Sequence, residues 1–99
     1  MIEKKVSPKG RSVRVTFALP ADKAQQQAAV VGDFNDWNEA ANPMQLDEKR
    51  GVWTASLSLK PGKAYQFRYR LDGERWENDE RADRYESNPY FSDNSVVEV

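Results

Sequence analysis

Strict two-residue alternation of apolar and polar positions runs through three stretches of the chain. Val13, Val15, Phe17 and Leu19 alternate with Ser12, Arg14, Thr16 and Ala18 before Pro20. Trp53, Ala55, Leu57 and Leu59 alternate with Thr54, Ser56 and Ser58, and Tyr65, Phe67, Tyr69 and Leu71 alternate with Gln66, Arg68, Arg70 and Asp72. Side chains on a strand point to opposite faces in turn, so each stretch predicts a strand with one face on a core and one on solvent. The apolar run Ala28–Val31 predicts a further strand, and the β-branched tail Ser95–Val99 predicts the last. Lys60-Pro61-Gly62-Lys63 has the composition of a turn, and Asp72-Gly73 that of a tight hairpin whose return begins at Glu74–Trp76. The polar segment Ala21–Gln27 is expected to be a loop with room for a helical turn. Asn78–Asp93 is expected to be an ordered loop pinned by Tyr85, Tyr90 and Phe91. Short strands separated by turns, with no long helix, predict an all-β sandwich. A single domain is expected over residues 1–99, with residues 1–9 as a fraying end.

Composition narrows the function classes. A chain of 99 residues is the size of one domain with one modest core. Its 15 basic and 16 acidic residues leave a formal charge of −1, so there is no global pull on nucleic acid. The basic cluster Lys4, Lys5, Lys9, Arg11 and Arg14 reads as a solvated terminus and edge strand. No apolar stretch approaches the roughly 18 residues of a membrane span, and the first ten residues hold no apolar signal segment. No nucleic-acid or membrane partner is therefore expected. The absence of Cys and His excludes disulfides, thiolate nucleophiles, Cys/His zinc sites and His-based triads. It also fits a cytoplasmic location. An all-carboxylate metal site is left open, and no cofactor is implied.

The acidic cluster Glu77, Asp79, Glu80 and Asp83 is the one candidate for catalysis, since glycoside hydrolysis runs on paired carboxylates. These four interleave with Asn78, Arg81 and Arg84, the pattern of a self-neutralising surface, and they lack the spacing of an EF-hand. The expectation is a protein that is not an enzyme.

The aromatic residues divide into two groups. Phe17, Trp53, Tyr65, Phe67 and Tyr69 share strand faces with Val and Leu and are assigned to the core. Trp37 and Trp76 break the pattern. Trp37 stands in VVGDFNDWN among Asp33, Asn35, Asp36 and Asn38, and Trp76 lies just past the Asp-Gly turn between Arg75 and Glu77. Either they cap the ends of the core, or they are flat platforms for an uncharged ring. A sugar suits the second reading, because its C–H face packs on an indole while its hydroxyls need Asn, Asp, Arg or Lys partners. Arg68 points away from Phe67 and Tyr69, on the face leading to Trp76; it is a surface ion-pair partner or a donor to hydroxyls. Asn94, before the last strand, is a turn former or an amide for a hydroxyl.

VVGDFNDWN, Pro43-Met44, GVWTASLSLKPG, YQFRYRLDGERW and DNSVVEV follow one another in an order that resembles the family 48 carbohydrate-binding modules, over Ser12 to Val99. These are early-set domains found before the catalytic barrel of isoamylases and glycogen branching enzymes, and in the β subunit of AMP-activated protein kinase. The short chain is similar to a bacterial stand-alone version. The resemblance implies an immunoglobulin-like β-sandwich of two antiparallel sheets. It further implies binding of an α-1,4-glucan such as glycogen, starch or a malto-oligosaccharide, with a glycogen-metabolism enzyme as a further partner. The family's site would fall on Trp37, Arg68, Trp76 and Asn94, with Trp37 held out by the Asn35-Asp36 turn and Phe34 anchoring that turn in the core. Three features depart from the pattern. Arg68 stands for a lysine, Trp76 is displaced by one residue, and Pro89-Tyr90-Phe91 replaces a segment with an inserted leucine. The alternative is an early-set protein-interaction domain without sugar affinity, its tryptophans anchoring an interface.

Overall fold

The computed structural model describes residues 2–89 and 92–99. Among these, nine strands form two sheets. β1 (Ile2–Val6), β2 (Val13–Pro20), β5 (Val52–Leu59) and β4 (Gln45–Asp47) make one sheet in that spatial order. β3 (Ala28–Gly32), β6 (Ala64–Leu71), β9 (Asp93–Glu98) and β8 (Arg84–Ser87) make the other. β7 (Arg75–Glu77) pairs with the end of β6 that β9 leaves free. All pairings are antiparallel, and the whole is the expected all-β, immunoglobulin-like sandwich. Among the described residues, no helix is long and apolar enough to cross a membrane.

The core lies between the sheets and follows the alternation. Val13, Val15, Phe17 and Leu19 of β2 face Phe67, Tyr69 and Leu71 of β6, with Trp53, Leu59 and Val97 beside them, all buried. The Phe17 and Phe67 rings meet edge to face at 4.9 Å, and Phe67 meets Tyr69 the same way at 5.7 Å. Burying each such side chain contributes about 1.5–3 kcal/mol. Tyr65 is only partly buried and packs on the margin of the cluster.

β3 is buried along its whole length, which is why its sequence does not alternate. Val30 joins the core, whereas Ala29 and Val31 belong to the outer face, opposite Arg70 and Arg68 of β6. Val96 of β9, opposite Gln66, is also fully buried on this outer face. A second, thin apolar layer therefore underlies the outside of the second sheet.

Two expectations are corrected. Ile2–Val6, within the expected fraying end, forms a strand: it pairs residue for residue with Val13–Phe17, and Ile2 packs on the core. Its polar face hides the strand, because Lys4 spends its charge on Asp83, 2.6 Å away. Arg84–Ser87, within the expected loop, forms β8; Gln45–Asp47, for which the sequence predicted no element, forms β4. Both are short edge strands without a fully buried residue, so no alternation marks them. The expected pinning of the Asn78–Asp93 segment by Tyr90 and Phe91 lies outside the described residues. Tyr85 does pin it, donating from Oη to the Asp79 carbonyl at 2.5 Å.

The Asp72-Gly73 hairpin is built as expected, with φ of 53° and 71° at its two left-handed positions. Its carboxylate does more than turn the chain. Asp72 accepts hydrogen bonds from the backbone N–H groups of Gln26 at 2.7 Å and of Gln25 and Gln27 at 3.1 Å. These donors, aided by Arg75, hold its carboxyl well below the usual carboxylate range. A pKa lower in the folded than in the unfolded chain adds stability that is complete above the ordinary value and is lost as pH falls below about 4. Asp72→Ala is expected to lower the melting temperature at neutral pH and to flatten its decline between about pH 4 and 2. Thermal scans of both proteins across that range check it; parallel acid limbs would be the contrary result.

Candidate functional site

The first wall of the site is made by the turn after β3. Gly32 lies so close to β6 that a Cβ there would stand 2.4 Å from the Gln66 carbonyl oxygen and 2.7 Å from the Phe67 Cβ. Glycine is thus required by space. The chain then makes a short 3-10 turn, Asp33–Asn35. Asn35 braces it: Oδ1 accepts from Gly32 N at 3.0 Å, while Nδ2 donates to the Val30 carbonyl at 3.1 Å and to Asn42 Oδ1 at 2.7 Å. Asp36 and Trp37 are both left-handed, with φ of 55° and 58°. That conformation is costly for a tryptophan and sends its side chain opposite to Phe34. Phe34 packs inward, 5.6 Å from Phe17, as the expected anchor. The half-buried Trp37 indole is tethered by Nε1, which donates to Asp33 Oδ1 at 2.9 Å. The other oxygen of Asp33 accepts from Gln66 N at 2.8 Å, so one carboxylate joins the tryptophan to β6.

The floor is the outer face of β6, where Gln66, Arg68 and Arg70 follow at intervals of two. Arg70 forms an ion pair from Nε to Glu39 at 2.9 Å and donates to the Gly73 carbonyl at 3.0 Å. Arg68 differs: among the described residues no hydrogen-bond or ion-pair partner meets its guanidinium. The Nε atoms of both arginines are buried without a hydrogen bond, that of Arg70 having only its ion-pair contact with Glu39. The second wall is β7, whose Trp76 lies directly opposite Arg70 and is 38% exposed. The guanidinium carbons of Arg70 and Arg68 lie 4.7 and 5.9 Å from its ring centroid. Asn94 closes the site from β9. It is buried, donates from Nδ2 to Gln66 Oε1 at 3.0 Å and accepts from Asn88 Nδ2 at 3.3 Å.

Trp37, Arg68, Trp76 and Asn94, the four residues singled out from the sequence, line one open cleft of about 380 Å³. Asp33, Gln66, Asn88 and Pro89 complete its described lining. Gln66 shares the outward alternation of Arg68, and Asp33 stands four residues before Trp37 in the same turn, so both had a local signal. Asn88 had none, because its segment has no period.

The cleft offers two indoles, guanidinium donors and side-chain amides. Asp33 is the one carboxylate among its described lining residues, and both its oxygens are engaged. The acidic residues considered for catalysis are each engaged by other groups. Asp79 is buried against the Tyr69 hydroxyl at 2.5 Å, Glu77 and Glu80 pair with Lys23, and Asp83 pairs with Lys4. No group of three or more acidic residues is arranged to hold a metal among the described residues. The arrangement can stack on a flat apolar surface and exchange hydrogen bonds with hydroxyls.

Residues 5–90 match the sequence profile of carbohydrate-binding module 48 (isoamylase N-terminal domain). The chain belongs to this family. A segment of 54 residues is 44% identical to the 1,4-alpha-glucan branching enzyme GlgB 2 of Rhizobium etli, covering 54% of this chain and 7% of that enzyme. Another of 57 residues is 42% identical to the 1,4-alpha-glucan branching enzyme GlgB of Nitrosococcus oceani, covering 57% of this chain and 8% of that enzyme. The chain thus matches a small part of much longer relatives and has the size of a single module. In this carbohydrate-binding module 48 domain the GDFNDW and YQFRYRLDG segments deliver their side chains to the same cleft.

Asp33 carries two hydrogen bonds of the Trp37 wall. Asp33→Ala is expected to cost about 1–3 kcal/mol of stability and to shift the Trp37 indole N–H resonance, leaving that of Trp53 in place. Urea denaturation and a proton–nitrogen correlation spectrum check both; an unmoved Trp37 signal would contradict the tether.

Proposed function

We propose that this domain is a non-catalytic module that binds α-1,4-glucan, as glycogen, starch or malto-oligosaccharide. Glucosyl rings stack on Trp37 and Trp76, while Arg68 and Asn94 exchange hydrogen bonds with their hydroxyls. The observation that carries this reading is the convergence of two outward tryptophans on one cleft whose central guanidinium has no hydrogen-bond or ion-pair partner among the described residues. An unsatisfied donor at the floor of an aromatic cleft suits a ligand rich in oxygen acceptors. Asn94 retains one N–H and one lone pair beyond its bonds to Gln66 and Asn88, so it can reach a hydroxyl without dismantling them. Membership of a carbohydrate-binding family supports the ligand class, and the relatives' own names, 1,4-alpha-glucan branching enzymes, support the linkage. A glycogen-metabolism enzyme is the natural second partner.

Stacking on an aromatic side chain contributes about 1–3 kcal/mol per ring in nucleic-acid sites, and a sugar should gain no more. Two such contacts, less the cost of ordering a flexible oligosaccharide, give micromolar to millimolar affinity. Titration with maltoheptaose, followed on the three indole N–H signals, is the test. Trp37 and Trp76 are expected to shift and Trp53, in the core, to stay. Trp37→Ala and Trp76→Ala should each weaken binding at least about tenfold while preserving the Trp53 signal. If no indole moves at millimolar sugar, the glucan reading fails and the tryptophans are better read as anchors of a protein interface.

A further inference from the structure

Trp76 has little of the core to hold it. It stands on a three-residue strand, points to the outer face and takes no part in the hydrophobic cluster. Its ring lies against Arg70, directly opposite across the β6–β7 pair, with the guanidinium 4.7 Å from the ring centroid. Arg70 itself meets two partners: Glu39, in an ion pair 2.9 Å from Nε that lacks hydrogen-bond geometry, and the Gly73 carbonyl, which accepts from a terminal nitrogen at 3.0 Å. The positions of these anchors matter. Glu39 is two residues beyond Trp37 and belongs to the segment that carries the first wall. Gly73 belongs to the hairpin that carries the second.

We infer that Arg70 is a positioning residue that sets the separation of the two tryptophans. Its guanidinium, locked by Glu39 and Gly73, ties the Trp37 segment to the Trp76 hairpin and occupies one face of the Trp76 indole. A sugar is left the opposite face. The planar fork of arginine suits this work, since it can stack on a ring while donating in its own plane. Arg68 and Arg70 thus have different tasks although they share a strand face. Arg68 is open to the ligand, and Arg70 is committed to the protein. The inference rests on the proposed glucan site for its ligand, but not for the geometry of the indoles.

The test uses Arg70→Met, which keeps the stem and removes the guanidinium, with Arg70→Lys and Glu39→Gln beside it. In the free protein, Arg70→Met should shift and broaden the Trp76 indole N–H signal while Trp53 stays still. Maltoheptaose, long enough to reach both indoles, should bind about three- to tenfold more weakly. Maltose, which can cover one indole only, should change by less than about twofold. Arg70→Lys, which keeps a cation but not the fork, should fall between wild type and Arg70→Met, and Glu39→Gln should act in the same direction. An unmoved Trp76 signal in Arg70→Met, or equal weakening of both sugars, would overturn the inference. If the wild-type protein binds neither sugar, the glucan reading fails by itself, and the Trp76 signal of the free variants still decides for or against the positioning role.

Discussion

Strand β6 is hydrogen-bonded along both edges, to β3 on one side and to β9 and then β7 on the other. That double pairing leaves its side chains two directions only. Phe67, Tyr69 and Leu71 are taken by the core, so Gln66, Arg68 and Arg70 must take the outer face, where Gln66 and Arg68 form the floor of the cleft. A register slip of one residue would bury three polar side chains and expose three large apolar ones, which no local gain could offset. The direction of the Arg68 guanidinium is therefore guaranteed by the same burial that stabilises the fold. The binding surface needs no separate scaffold.

The two walls are held by carboxylates that accept from backbone or ring N–H groups. Asp33 joins the Trp37 indole to β6. Asp72 gathers three N–H groups at the hairpin that leads into β7. Asp79, just beyond β7, is buried and accepts from the Tyr69 hydroxyl and from Arg81 N at 2.7 Å, while its own N–H donates to Ser95 Oγ at 2.9 Å. Burial and the neighbouring carboxylate push the Tyr69 phenol well above its ordinary pKa, so it is a protonated donor at neutral pH. Burying a carboxylate is costly unless such bonds replace its water. Here they fasten the far end of β7 to β6 and β9. Trp76 lies between these two fastenings, exposed in its side chain but fixed in its backbone.

This distribution has a consequence for recognition. A flexible oligosaccharide loses conformational freedom when it binds, and the protein adds least to that loss if its own side chains are already ordered. Trp37 is tethered through its indole N–H, Asn94 through its amide and Trp76 through the guanidinium beside it. Arg68 is the exception: among the described residues no hydrogen-bond or ion-pair partner holds its guanidinium.

Much of this was present in the sequence. Alternation by two is a local property, and it determined β2, β5 and β6, the burial of Phe17, Phe67 and Tyr69, and the outward direction of Arg68. The same regularity made Trp37 and Trp76 conspicuous by breaking it. The edge strands β1, β4 and β8 were not legible, because a strand without a buried face carries no apolar period. Alternation alone could not distinguish Arg68 from Arg70, which share a strand face; only the family resemblance singled out Arg68. That difference depends on Glu39, 31 positions from Arg70 along the chain, having come within 2.9 Å of it. The convergence of Trp37, Arg68, Trp76 and Asn94 is likewise a product of pairing between distant strands: Gly32 against Phe67, Arg70 against Trp76, Gln66 against Val96. Local pattern decides which face a side chain takes. Only long-range hydrogen bonding decides which other side chains it meets there.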